Sequence, residues 1–218
     1  MNYRMTALII VLCVLISNCT AEEPQKTTGD NGVRGAFDNY RSSILNQDGS
    51  KAVKYVSKST IEYYRKIMNA TLTGKEEEVR GLSTIDKMMV ILLRHRMKVK
   101  VLSKMTAENL FIHSVDKGWI GKDSVINSDI GEITESNNKA TAVFINYGKK
   151  TPLKYQFVKE QEQWKLDLTA VMPISDEAFK QVIESSNLDE DEYIFKILES
   201  ISGEKLSEDI WQPLIKEG

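Results

Sequence analysis

Residues 155–173 read YQFVKEQEQWKLDLTAVMP, and this stretch decides the fold. Tyr155 and Phe157 alternate with polar residues, a polar run follows, and Trp164, Leu166, Leu168, Ala170 and Met172 resume the alternation. Apolar residues at period two mark two half-buried strands joined as a hairpin. A lone hairpin is marginal in water, so other parts of the chain must cover its apolar face.

Working outward, four strands are predicted over 125–133, 140–147, 153–158 and 164–172. Ser136-Asn137-Asn138, Gly148-Lys149-Lys150 and Glu160-Gln161-Glu162 separate them, and such short links favour consecutive antiparallel pairs. Upstream the period is helical. Val33, Phe37, Tyr40 and Ile44 form one stripe that ends at Asn46-Gln47-Asp48-Gly49, followed by a short helix with Ala52, Val53 and Val56. A helix capped near Ser57 or Ser59 carries Ile61, Tyr64, Ile67, Met68 and Leu72. KEEEVR at 75–80 reads as a solvated helical turn or loop. Ser83 and Asp86 open what should be the most buried helix, with Ile85, Met88, Met89, Leu92 and Leu93 as its face. A helix over 106–117, capped by Thr106 and stopped by Gly118, presents Leu110, Phe111 and Val115. Beyond Pro173, one helix starts at Ser175 and another near Asp189, and a tail with Ile210 and Trp211 is apolar enough to dock. The expected fold class is α+β: N-terminal helices packed on a curved antiparallel sheet of about four strands, with C-terminal helices appended.

The 218 residues hold 29 basic and 31 acidic side chains, a net charge of -2, so no strong field recruits nucleic acid. The first residues differ from the rest. After Arg4, residues 5–16 are uncharged and almost wholly apolar, too short to span a bilayer comfortably and suited to a signal peptide. Ile16-Ser17-Asn18-Cys19 resembles the lipobox of bacterial lipoproteins, with Asn18 larger than the usual Gly or Ala. That resemblance implies cleavage after residue 18, acylation of Cys19 and, with Thr20 next, sorting to an outer membrane facing the periplasm. Cys13 would leave with the signal, and the mature chain would keep no free thiol. Residues 19–32 read as a flexible tether, 33–173 as the domain and 174–218 as a helical extension.

Residues 37–56, the run SKSTIEYYRKI and the closing FVKEQEQWKLDLTAVMP resemble the nuclear-transport-factor-2-like superfamily, and within it bacterial envelope proteins whose last hairpin ends W-K-[LI]-D-L. The resemblance implies a cone-shaped α+β fold over 33–173 and says little of activity. The stretches 75–118 and 174–218 are long for that superfamily.

No catalytic residue, metal site or cofactor is assigned. Tyr64, Trp119, Tyr155 and Trp164 are candidates for a pocket mouth, although each sits on or beside an apolar-periodic face where core is the plainer reading. Asp167 is the candidate pocket acid, sharing its strand face with Lys165 and Thr169. His95, between Arg94 and Arg96, fits the dipole of a helix C-terminus. His113 lacks a partner at metal-pair spacing, and Asp189-Glu190-Asp191-Glu192 lacks the glycine of a calcium loop. These features point to a lipid-anchored envelope protein with a non-catalytic binding domain for an unidentified protein or small molecule, with a homodimer through the terminal helices a further expectation. An isomerase or dehydratase using Asp167 and a tyrosine is the first alternative. An immunity-type lipoprotein is the second.

Overall fold

The computed structural model describes residues 32–215. In chain order the elements are α1 (Val33–Leu45), α2 (Gly49–Ala52), α3 (Lys58–Thr73), α4 (Glu76–Arg80), α5 (Thr84–Arg96), α6 (Val99–Leu102) and α7 (Ala107–Asp116). The strands β1 (Ser128–Ser136), β2 (Lys139–Asn146), β3 (Lys149–Glu160) and β4 (Gln163–Asp167) come next, then α8 (Met172–Ser186) and α9 (Glu190–Ser202). Short 3-10 turns occupy Val53–Tyr55, Lys122–Ser124, Leu168–Val171 and Glu208–Trp211. Residues 1–18, read above as a signal peptide, and residues 19–31 of the expected tether, Cys19 included, lie outside the described residues. The fold is α+β, with one antiparallel sheet in the order β1-β2-β3-β4. The chain forms two compact units, one of residues 33–62 and 111–171, the other of 63–110 and 172–215, so the division falls inside α3 and α7.

The first unit lays α1 on the sheet. Phe157 opposes Leu166 across β3 and β4, and both are buried beside Trp164, Ala140, Ala142 and Ile130. Phe37 of α1, 1% exposed, sets its ring 5.5 Å from that of Tyr155, which meets Phe144 at 5.0 Å. The opening hairpin is therefore the floor on which α1 packs. Arg34 ties α1 to β1, donating to Asp129 Oδ1 at 3.1 Å and to the Ile130 carbonyl. Gly49 answers a close approach: a Cβ there would run into the Ile112 carbonyl, and its N–H donates to Asp116 Oδ1 at 2.8 Å. The Ser57 hydroxyl caps α3 by accepting the Thr60 N–H at 3.1 Å, while the Ser57 N–H reaches the Leu166 carbonyl at 2.9 Å.

Several expected strand boundaries are corrected: β3 starts at Lys149 rather than Leu153, so Lys149 and Lys150 belong to the strand and not to the link, β1 runs on to Ser136, and two further shifts have a visible cause. Residues 168–171 leave the sheet because Asp167 Oδ1 accepts both the N–H and the hydroxyl of Thr169, at 3.1 and 2.7 Å, and the Leu168 N–H goes to Thr60 Oγ1 at 3.0 Å. These local bonds compete with the ladder and win. α8 then starts at Met172, three residues earlier than expected, with Pro173 in the first turn where its missing N–H costs nothing. At the other edge, the carbonyls of Val125 and Ile126 are taken by Arg41, and β1 begins only at Ser128.

The second unit is helical. It brings residues 63–110 together with the C-terminal helices, since α5 packs against both α8 and α9. Ser83 caps α5 through the Asp86 N–H at 3.3 Å, and Asp189 caps α9 through the Glu192 N–H at 2.8 Å. The α5 face is rotated from expectation: Thr84, Lys87, Met88, Val90, Ile91, Leu93 and Arg94 are buried, while Ile85, Met89 and Leu92 are half-buried. KEEEVR is not merely solvated, because it forms α4 and buries Val79 completely. α6 was not foreseen; Met97 and Leu102 pin it.

The β3–β4 turn places Gln161 and Glu162 at φ 49 and 60, in the left-handed region that suits Asn-Gly. Replacing the pair with Asn-Gly relieves left-handed strain, which outweighs the exposed Glu162–Lys159 pair it removes, and raises stability by about 1 kcal/mol, seen as a higher urea midpoint at unchanged slope.

Candidate functional site

Period two divides the candidate residues of the sheet. Tyr155 and Trp164 share the face that α1 covers, together with Phe157 and Leu166. Asp167 opposes Gln156 on the other face, half-buried, with Oδ1 occupied by Thr169. Burial pushes the Tyr155 phenol up, offset in part by its hydrogen bond with Ser128. Trp119 follows α7, half-buried, with the His113 ring edge-on at 5.2 Å. Burial, then Lys117, holds that imidazole below its ordinary value. Tyr64 is buried on α3, and desolvation drives its phenol upward. The structure thus puts Tyr155 and Trp164 on one face of the sheet, with the Phe157–Leu166 pair between them, and Asp167 on the opposite face.

The polar cluster that the sequence did not disclose lies in the helical unit. The Tyr63 hydroxyl donates to Asp86 Oδ1 at 2.6 Å. Burial first, and the Asp86 carboxylate second, push that phenol up. Asp176, at the start of α8, accepts the Ile85 N–H at 3.0 Å and pairs with Lys180 at 2.9 Å. Burial pulls its carboxyl upward, but the Ile85 N–H, Lys180 and the Ser83 hydroxyl outweigh that and keep it below the ordinary 3.8. Tyr63 broke the apolar phase of its helix, which was the available signal. Its chemistry is structural: a phenol with a raised pKa, donating to a carboxylate, joins α3 to α5.

The triplet 94–96 is also reassigned. Arg94 is 6% exposed and donates to five carbonyls: Thr71 at 3.1 Å, Ala70 at 3.0 Å, Gly74 at 2.6 Å, Ile210 at 3.2 Å and Trp211 at 2.6 Å. Every donor of the fork is engaged, so no anion is recruited there. Arg96 donates to the Ile201 carbonyl at 3.2 Å. His95 Nε2 and Thr84 Oγ1 are the buried side-chain polar atoms without a partner among the described residues.

The acidic run 189–192 is absorbed as well. Lys87, with only 9% of its side chain exposed, pairs with Glu190 at 3.0 Å and Asp191 at 3.5 Å. Arg80 bridges Asp191 and Glu76 and lies 3.8 Å over the Trp211 ring, which stacks on Phe195. Among the described residues, no three His, Cys, Asp or Glu converge as metal ligands. An open depression beside α4 is lined by Thr73, Lys75, Glu77, Gln212, Pro213 and Ile215, none of them a candidate from the sequence. No family model, curated protein or solved structure matches the chain.

Two measurements check these assignments. Arg94→Leu removes the donors of five carbonyls, of which Ala70 keeps the Gly74 N–H, and lowers stability by about 3–5 kcal/mol in urea unfolding. Asp176 stabilises the fold above its unfolded-state pKa, because its folded-state pKa is depressed, and that contribution disappears as pH falls through the folded value. Asp176→Asn is therefore less stable than the parent at pH 7, with a gap that narrows below about pH 3.8.

Proposed function

We propose that the protein is a bacterial envelope lipoprotein, acylated at Cys19, whose α+β domain is a non-catalytic binding or interaction module. Ile16-Ser17-Asn18-Cys19, directly after an uncharged apolar run, carries the reading. Thr20 in the next position favours the outer membrane, facing the periplasm. Helices followed by a four-stranded meander are in keeping with the resemblance to envelope proteins of the nuclear-transport-factor-2-like superfamily.

The binding reading is favoured over an isomerase or dehydratase by the sheet. Such an enzyme would combine Asp167 with a tyrosine in one pocket, and Asp167 faces away from Tyr155. The other carboxylates and cations described above serve caps and ion pairs. The partner is a protein or small molecule rather than nucleic acid, in line with the balanced charge.

Labelling cells with radioactive palmitate and fractionating them tests the anchor. The parent chain takes up label and sediments with membranes, and Cys19→Ser loses the label. A parent chain found unlabelled in the soluble fraction sinks the reading.

A further inference from the structure

The end of the sheet where β2 turns into β3 has properties that the packing of the domain does not account for. Tyr147 and Ile126, 67% and 49% exposed, are the two most exposed large apolar side chains among the described residues. They meet at the tip of the sheet, where the Tyr147 N–H donates at 2.9 Å to the carbonyl of Asn127, the residue after Ile126, and where Lys149 opposite Asn146 and Lys150 opposite Ile145 project to either side of the tip. Their backbone is held: Arg41 donates to the carbonyls of Val125 and Ile126 at 3.0 and 2.8 Å. Tyr147-Gly148 is a two-residue turn between Asn146 and Lys149, with φ 47 and 72. Glycine, asparagine or aspartate suits the first position, so a tyrosine there accepts strain without gaining burial.

The charge beside it is positive. Lys149 and Lys150 follow the turn, both exposed, and neither joins an ion pair among the described residues. Of the nearby carboxylates, Asp129 is paired with Arg34, and Asp123 follows Lys122 in the adjoining 3-10 turn. The chain that leads back to Cys19 also enters here. Gly32 caps α1, and Arg34, two residues on, holds Ile130. Ile130 is three residues from Asn127, at most about 10 Å away.

We propose that Ile126, Tyr147, Lys149 and Lys150 form a surface that docks on an anionic phospholipid bilayer. The tyrosine ring suits the headgroup layer, isoleucine the acyl boundary, and the lysines the phosphates. The choice of a bilayer rests on the proposed anchor at Cys19: residues 20–32 span at most about 45 Å, so this end of the sheet is never far from the lipid. The surface adds orientation to a chain that acylation already retains.

The test uses the full chain carrying Cys19→Ser, which has no lipid, in flotation with phosphatidylglycerol and phosphatidylcholine vesicles. Any contribution of residues 5–16 is common to all chains compared. Lys149→Gln with Lys150→Gln lowers partition onto phosphatidylglycerol by about thirtyfold, and 0.5 M salt (on the order of a 4 Å screening length) does the same to the parent patch. Tyr147→Asn fits the turn better, so it leaves thermal stability undiminished yet weakens binding severalfold. Equal partition onto the two vesicles, or equal binding by patch-substituted and unsubstituted chains, overturns the proposal. If palmitate labelling of Cys19 fails while these differences hold, the anchor falls and the docking surface stands.

Discussion

A guanidinium removed from water must find acceptors for all its N–H groups, and in this protein Arg94 finds five carbonyls. Three come from residues 70, 71 and 74 at the end of α3, where the Ala70 carbonyl also takes the Gly74 N–H at 2.9 Å. Two come from the 3-10 turn at 208–211. One side chain thus satisfies a helix terminus and fastens the C-terminal tail, which continues along α3 with the Ile215 N–H on the Leu72 carbonyl at 2.8 Å. Lys87 stands two turns earlier on the same helix, and its ammonium holds the first turn of α9 through Glu190 and Asp191. Between the two cations lie Val90 and Ile91, fully buried. The face of α5 is therefore an apolar strip with a charged clamp near each end, and the helical unit depends on both clamps being satisfied.

That arrangement explains which parts of the fold were legible in the chain. Caps are local, so Ser83, Thr106 and the Asp189 carboxylate could be found from spacing, as could the Gly118 stop with its φ of 69. The strand alternation around Phe157, Trp164 and Leu166 was equally plain. The α5 face was not, because apolar periodicity counts lysine and arginine as solvent-facing and skips the two positions that bury charge. Their acceptors lie 20 to 117 residues away in sequence, as the Gly74 and Trp211 carbonyls do from Arg94, and no window-based reading contains them.

The end of β4 shows the same limit on a smaller scale. Leu168, Ala170 and Met172 continue the alternation, but Asp167 has its own use for the backbone of Thr169 and bends the chain out of the sheet. The residue singled out as a pocket acid is thus the residue that ends the strand. Its parity relative to Trp164 and Leu166 could be counted from the sequence. Which face α1 would cover could not, and that placement puts Tyr155 under Phe37 and leaves Asp167 on the other side.

Strain and unpaired charge carry meaning according to what else explains them. Glu162 occupies a left-handed position as Tyr147 does, but Glu162 reaches Lys159 at 2.7 Å and its turn needs no outside partner. Arg80, Lys87 and Arg94 are similarly accounted for by carboxylates, an indole ring and carbonyls. Once those assignments are made, the near-neutral charge of the chain stops being a uniform background. Its cations separate into a set consumed by the fold and a set that includes Lys149 and Lys150, which the fold leaves to solvent beside the most exposed aromatic ring among the described residues. Internal packing accounts for neither the exposed ring nor the strained turn at this end of the sheet, and the proposed docking surface rests on that pair of observations.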